Sequence, residues 1–268
     1  MIVFEIHDKA EKNKMLGYLF FFERSRRFFA EVLSELDEWN APFIFEGHVK
    51  KGIYSIDSIW SKKFVSQRII PPDRQNLGSI LKENGLKYYD EFKLLQLSEG
   101  RCAQDDLYLV RINEKEIVPE IQTRLSQKVL DVMVLKDFKT LVFFKDGFSV
   151  KADIKEMRGK DRLFGNILSH EEIFGNIRVS PGGNGIEWDE ERFISAEKLR
   201  SCGIKSDITY EDVNGFIIER LADTAETTRL LNCSRQYVNQ LVDSKRLNPV
   251  RESGNTSIFP KSVIETEF

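Results

Sequence analysis

The chain has 268 residues, 41% of them hydrophobic, and a formal net charge of -3. That length suits two or three domains with real cores, and the slightly acidic balance excludes a protein that coats nucleic acid by bulk charge. Cys102, Cys202 and Cys233 stand singly and far apart, which argues against both a disulfide framework and structural zinc.

From the N-terminus, residues 1–6 (MIVFEI) read as a strand. The apolar run Met15–Phe22 follows Lys9, Lys12 and Lys14 in the manner of a leader, but it lacks a small-residue cleavage site. It is also too short to span a bilayer, so a cytoplasmic protein with no membrane partner is expected. Glu11–Trp39 reads as a long helical region, because Phe21, Phe22, Phe28, Phe29, Val32, Leu33 and Leu36 recur at helical spacing. Phe43–Ile59 is β-like, with Gly47 and Gly52 as turn points, and Pro71-Pro72 breaks the chain. Residues 76–100 read as helical and Asp106–Ile112 as a strand. Residues 1–130 thus form an expected α+β domain that resembles no family. Its bases Arg24, Arg26, Arg27, Lys50, Lys51, Lys62, Lys63, Arg68 and Arg74, with Tyr54 and Trp60 among them, suit either a solvated surface or a nucleic-acid groove.

A hairpin is expected within Val132–Ile154, turning at Lys145-Asp146-Gly147, since Asp-Gly between apolar runs favours a tight turn. A second joins Ile177–Val179 to Gly185–Trp188 through Pro181-Gly182-Gly183-Asn184, and Phe193–Ser195 leads into a short helix from Ala196. Phe174, Trp188 and Ile194 would close this core. Over about residues 131–201 this order resembles the small bacterial domain of unknown function 2442. The resemblance implies a regulatory or toxin–antitoxin context and no reaction. Residues 203–223 read as a linker and helix, and residues 1–201 are expected to fold without the C-terminal segment.

From Thr224 the chain reads as a short helix, a turn, a second helix and a hairpin. Ser234 is a good N-cap, and Val238, Leu241 and Val242 form one apolar stripe expected to pack against Leu230 and Leu231. Arg235, Gln236, Asn239 and Gln240 then face outwards, side chains suited to guanine and adenine edges. Between Glu226 and Lys261 six bases (Arg229, Arg235, Lys245, Arg246, Arg251, Lys261) outnumber Glu226, Asp243 and Glu252, a local positive footprint inside an acidic chain.

This segment resembles the excisionase and MerR-type winged helix-turn-helix. Glu226, Leu230, Leu231, Ser234, Val238, Leu247, Val250, Arg251, Gly254, Ile258 and Val263 match its pattern; Thr227, Thr228, Asn232, Cys233 and Lys245 depart from it. Asn232 tolerates the left-handed conformation that the family's turn glycine supplies. The resemblance implies a DNA-binding module over residues 224–268, in which Ser234 orients the recognition helix, Arg235, Gln236, Asn239 and Gln240 face bases, and Lys245, Arg246 and Arg251 hold phosphates.

Candidate catalytic groups have plainer readings. His170-Glu171-Glu172 lacks a second histidine four residues on and suits a helix start. Asp105-Asp106 and Asp189-Glu190-Glu191 are adjacent carboxylates that seldom converge on one substrate. Pro181–Gly185 reads as a turn, without the lysine of a phosphate loop. Three histidines leave few acid–base candidates, so no enzyme, catalytic residue, metal or cofactor is expected. The expected protein is α+β and multidomain: two small α+β domains (1–130 and 131–202), a linker and helix (203–223), and the winged module. Its expected function is sequence-specific binding of duplex DNA in bacterial transcriptional control, with autoregulation in an antitoxin-like manner. The alternative is an adaptor or inhibitor whose N-terminal domain grips a partner protein; a homodimer fits either. An unrecognised nuclease or transferase in residues 1–130 ranks last.

Overall fold

In a computed structural model the described residues are 1–208, 210–253 and 256–268. They are mixed α and β with antiparallel sheets, compatible with the α+β class. The chain divides into two compact units, Met1–Gln122 and Thr123–Phe268. Residues 131–202 and 224–268 both lie in the second unit.

The first unit holds strands β1 (Ile2–Asp8), β2 (Lys14–Phe22) and β3 (Arg27–Val32), then α1 (Glu46–Val49), β4 (Ser55–Ile56), α2 (Ser58–Ser66), α3 (Leu77–Glu83), α4 (Glu91–Ser98) and β5 (Leu107–Ile112). The strands form one sheet in the order β4-β3-β2-β1-β5. The long helix expected over Glu11–Trp39 is a β-hairpin instead. Tyr18, Leu19, Phe20, Phe21, Phe28 and Phe29 are all at most 2% exposed, so β2 and β3 are buried on both faces. A strand of that kind loses the alternation that would identify it and reads as a continuous apolar run. Its aromatic residues favour the pleated surface, and Arg26, at φ 57, completes the turn between the strands. Gly17 pairs with Val32, and a Cβ there would lie 2.2 Å from the Glu31 carbonyl oxygen; only glycine allows this close approach.

Phe43–Ile59, expected as β-like, is mostly helical. Phe43–Phe45 is a 3-10 turn, Gly47 lies inside α1, and Gly52 (φ 70) makes the turn expected of it. The Asp57 side chain accepts from the Trp60 amide at 3.0 Å and starts α2, satisfying an orphan donor of the first helical turn. The helical stretch 76–100 is split between α3 and α4, with Gly85 (φ 69) after the first and Asp90 capping the second.

Helix α5 (Pro119–Ser126) carries the chain into the second unit. There β6 (Val129–Leu135), β7 (Lys139–Phe144) and β8 (Ser149–Asp153) form an antiparallel meander, with α6 (Ile154–Arg158) following. The expected turn is present: Gly147, at φ 83, donates to the Phe144 carbonyl at 3.0 Å, and Asp146 accepts from the Phe148 amide at 3.1 Å. Next come α7 (Glu171–Phe174), β9 (Arg178–Val179), β10 (Gly185–Glu187), β11 (Phe193–Ser195) and α8 (Ala196–Cys202). Phe174 and Ile194 are buried as expected, and the Trp188 indole donates to the Phe174 carbonyl at 2.9 Å.

The stretch expected as linker and helix is joined to this sheet. Strand β12 (Ile204–Lys205) pairs with β8, and α9 (Tyr210–Arg220) packs on β6. From Arg220 the chain enters β13 (Leu221–Asp223), α10 (Thr224–Leu231), α11 (Arg235–Asp243), β14 (Arg251–Ser253), β15 (Thr256–Pro260) and α12 (Lys261–Glu267), with β13-β15-β14 as the third sheet of this unit. No helix among the described residues is long and apolar enough to cross a membrane.

Candidate nucleic-acid interface

The C-terminal elements enclose a small core of Ala222, Val238, Leu241, Leu247, Phe259 and Ile264. Helix α10 begins where the Asp223 side chain accepts from the Glu226 amide at 2.7 Å. It ends at Asn232, left-handed at φ 49, ψ 49, the conformation its residue type tolerates. Ser234 then caps α11, accepting from the Tyr237 amide at 3.2 Å. Val238 and Leu241 turn inwards and are at most 2% exposed, with Val242 packed beside them.

The expected partner Leu230 is different: it is 45% exposed, and Leu231 alone of that pair reaches the core. Helix α10 is rotated so that Thr224 and Thr227 are buried, the latter bonded through its hydroxyl to the Asp223 carbonyl at 2.8 Å. Satisfying that hydroxyl internally lets a polar residue occupy the inward row.

Ser234, Arg235, Gln236, Asn239 and Gln240 are all exposed, on the side of α11 away from its buried residues. Tyr237, also exposed at 43%, belongs with them. The apolar spacing alone placed it outside the buried stripe, and reading only for base-edge donors passed it over. After α11, Lys245 is left-handed at φ 58, which lets the Arg246 amide reach back to the Leu241 carbonyl at 2.9 Å. Lys245, Arg246 and Arg251 are exposed and have no carboxylate within ion-pair distance among the described residues. The Arg246 guanidinium lies 5.7 Å from the Phe268 ring centroid. Of the remaining bases, Lys261 is paired with Glu226 at 2.6 Å. Gly254, which carries part of the family resemblance, lies outside the described residues.

Several basic residues of the first unit are held by carboxylates. Arg26 pairs with Asp90, Arg68 with Asp105, Lys50 with Glu38 at 3.2 Å and Lys62 with Glu91 at 3.6 Å. Arg27 and Arg68 are buried rather than solvated, and Lys63 sits over the Trp60 ring at 3.8 Å.

The residues weighed for catalysis have structural partners. His170 precedes α7 and its Nδ1 lies 3.0 Å from the Asn166 carbonyl oxygen. Asp189 accepts from the amides of Glu191 and Arg192 in a tight turn. Gly183, at φ 78, comes so near β6 that a Cβ would meet the Val129 carbonyl at 2.3 Å. A groove of about 780 Å³ in the second unit is lined by Phe138, Phe174, Arg178, Arg220 and Lys261. These three cations are paired with Glu187, with Asp131 and Glu265, and with Glu226.

Comparison with family models, curated proteins and solved structures finds no match to this chain.

Proposed function

We propose that residues 221–268 form a winged helix-turn-helix that binds duplex DNA, and that the protein is a transcriptional regulator in bacterial style, acting on its own operon. The observation that carries this reading is the two-sided character of α11. Val238 and Leu241 are buried, while Arg235, Gln236, Asn239 and Gln240 are exposed on a helix capped by Ser234. A capped helix presenting such side chains near its N-terminus suits entry into a major groove. Lys245, Arg246 and Arg251 flank it as phosphate contacts. If these cations, with Arg235, neutralise roughly four phosphates, affinity falls with salt at a log–log slope of about -3 to -4. A gel-shift titration against genomic fragments tests this; no shift even at low salt removes the reading.

One observation favours a protein partner for the first unit. Trp39 and Phe43 are 88% and 86% exposed; Trp39 lies on a turn stapled by Asp37, whose side chain accepts from the amides of Trp39 at 2.9 Å and Asn40 at 3.2 Å, and Phe43 opens the 3-10 turn that follows. Rigidly held exposed aromatics are the residue types that anchor interfaces. Under this reading Trp39→Ala abolishes capture of a host protein and leaves DNA binding unchanged; capture at wild-type level by the variant removes it.

A further inference from the structure

The sequence contains three Asn-Gly pairs, beginning at Asn84, Asn184 and Asn214, and the fold holds each differently. Asparagine before glycine is chemically labile, because no side chain shields the following amide nitrogen or restricts its backbone. Asn214-Gly215 lies inside α9, where a Cβ on Gly215 would come within 3.2 Å of the Met133 sulfur. Asn184 is fixed from both sides. Its side-chain amide donates to the Pro181 carbonyl at 2.8 Å, and its own carbonyl accepts from the Ala196 amide at 2.9 Å. Gly185 follows in β10, paired with Ser195 of β11. Asn84-Gly85 differs from both. The two residues are exposed, and a Cβ on Gly85 would meet no atom within 4 Å. Asn84 closes α3, a helix of 7 residues of which none is buried. The Gly85 amide donates to the Lys82 carbonyl at 3.1 Å and the Leu86 amide to that of Leu81 at 2.8 Å. The Asn84 side-chain amide donates to the Ile80 carbonyl at 2.8 Å. With no buried side chain behind them, such bonds at an exposed helix end open at small cost.

We propose that Asn84 is a site of spontaneous deamidation and that the product loosens α3. When the turn opens, the Gly85 amide nitrogen, its proton lost to solvent base, attacks Cγ of Asn84. A bond forms between these two atoms, the bond from Cγ to Nδ2 breaks, and Nδ2 leaves with a solvent proton as ammonia. Water then opens the resulting succinimide ring. Addition at Cγ gives aspartate, and addition at the Asn84 main-chain carbonyl carbon gives isoaspartate. Either product exchanges an amide donor for a carboxylate, which cannot donate to the Ile80 carbonyl. The carboxylate also places negative charge at the C-terminal end of α3, where the helix dipole disfavours it. Isoaspartate adds a further carbon to the main chain within the turn. The same reaction at Asn184 or Asn214 first requires a strand pair or a packed helix to open.

Peptide mass spectrometry on the full chain, aged in mildly alkaline buffer made with oxygen-labelled water, tests this. Asn84 should convert at least about tenfold faster than Asn184 or Asn214, because its turn opens locally. Its products should carry one labelled oxygen and separate into aspartate and isoaspartate forms. In urea the rates at the three asparagines should converge, since the fold is what separates them. Equal rates in the folded chain, or the same order kept in urea, overturns the assignment. Asn84→Asp supplies the aspartate product without ageing, at an exposed position where the fold tolerates it. Amide hydrogen exchange over residues 77–86 should be faster in this variant than in wild type. Exchange at the wild-type rate would show that α3 accommodates the carboxylate and would overturn the loosening.

Discussion

Arg220 donates through Nε to the Asp131 carboxylate at 2.8 Å, across 89 residues of sequence. Both side chains are less than 10% exposed, and the same guanidinium donates to Glu265 of α12 through two further nitrogens, at 3.2 and 2.7 Å. One side chain thus ties the second unit's sheet, α9 and the last helix together. Truncating a buried ion-pair partner costs about 3–5 kcal/mol, because the opposite charge stays buried and uncompensated. Arg220→Met should therefore destabilise the second unit by that amount in urea unfolding. Asp131→Leu on that background should recover part of the loss. A loss below about 1 kcal/mol for Arg220→Met would show that the network is solvated and energetically minor.

Lys245 separates stability from DNA contact at a single position. A left-handed backbone costs a residue with a Cβ about 1 kcal/mol or more relative to glycine. Lys245→Gly is expected to raise the melting temperature slightly. If the side chain holds a phosphate, the same change weakens binding to all sequences and flattens the salt slope by about one unit. Higher stability with unchanged binding would remove Lys245 from the interface.

Arg235 and Arg251 should differ in kind. Arg235→Ala is expected to flatten preference at one position of the DNA site, an effect of about 1–3 kcal/mol in discrimination, with the melting temperature nearly constant. Arg251→Ala, on the β14–β15 hairpin, should weaken all sequences alike and lower the salt slope by about one unit. Unfolding of the module by Arg235→Ala would make that side chain structural.

Asp90 supplies a pH dependence in the first unit. Burial pushes its carboxyl up, but the Lys93 amide at 3.0 Å and the Arg26 guanidinium outweigh burial and hold it below the usual carboxylate value. A carboxyl depressed in the folded state contributes stability that is fully present above its unfolded pKa and is lost as pH falls through the folded one. Thermal midpoints should therefore drop on acidification below the ordinary carboxylate range. Asp90→Asn should lower the neutral-pH midpoint and flatten that acid limb; an unchanged limb would assign the acid sensitivity elsewhere.

What was legible in the sequence was local. The Asp146-Gly147 turn, the Ser234 cap and the Val238/Leu241 stripe each depend on residues within a turn or two of one another, and the structure contains all three. The β2–β3 hairpin was not legible, because burial of both faces erases the period-two signal. Nor was the tie between α9 and the sheet: Lys151 and Asp212, like Asp131 and Arg220, look solvated until the fold brings them together. At the candidate site, Leu230 was misjudged because the buried row of α10 is carried by threonines, both satisfied by backbone carbonyls.

The strand order β4-β3-β2-β1-β5 sets a timetable for synthesis. Strands β1 to β3 leave the ribosome together, but the outer edge of β1 has no partner until Leu107–Ile112 has been made. At about 5–20 residues per second that interval lasts several seconds. Throughout it the nascent chain offers an unpaired edge beside some of its most aromatic strands, the combination that recruits other chains. Yield in the cell should therefore depend on chaperone capacity and translation speed over residues 33–112 more than on the stability of the finished protein.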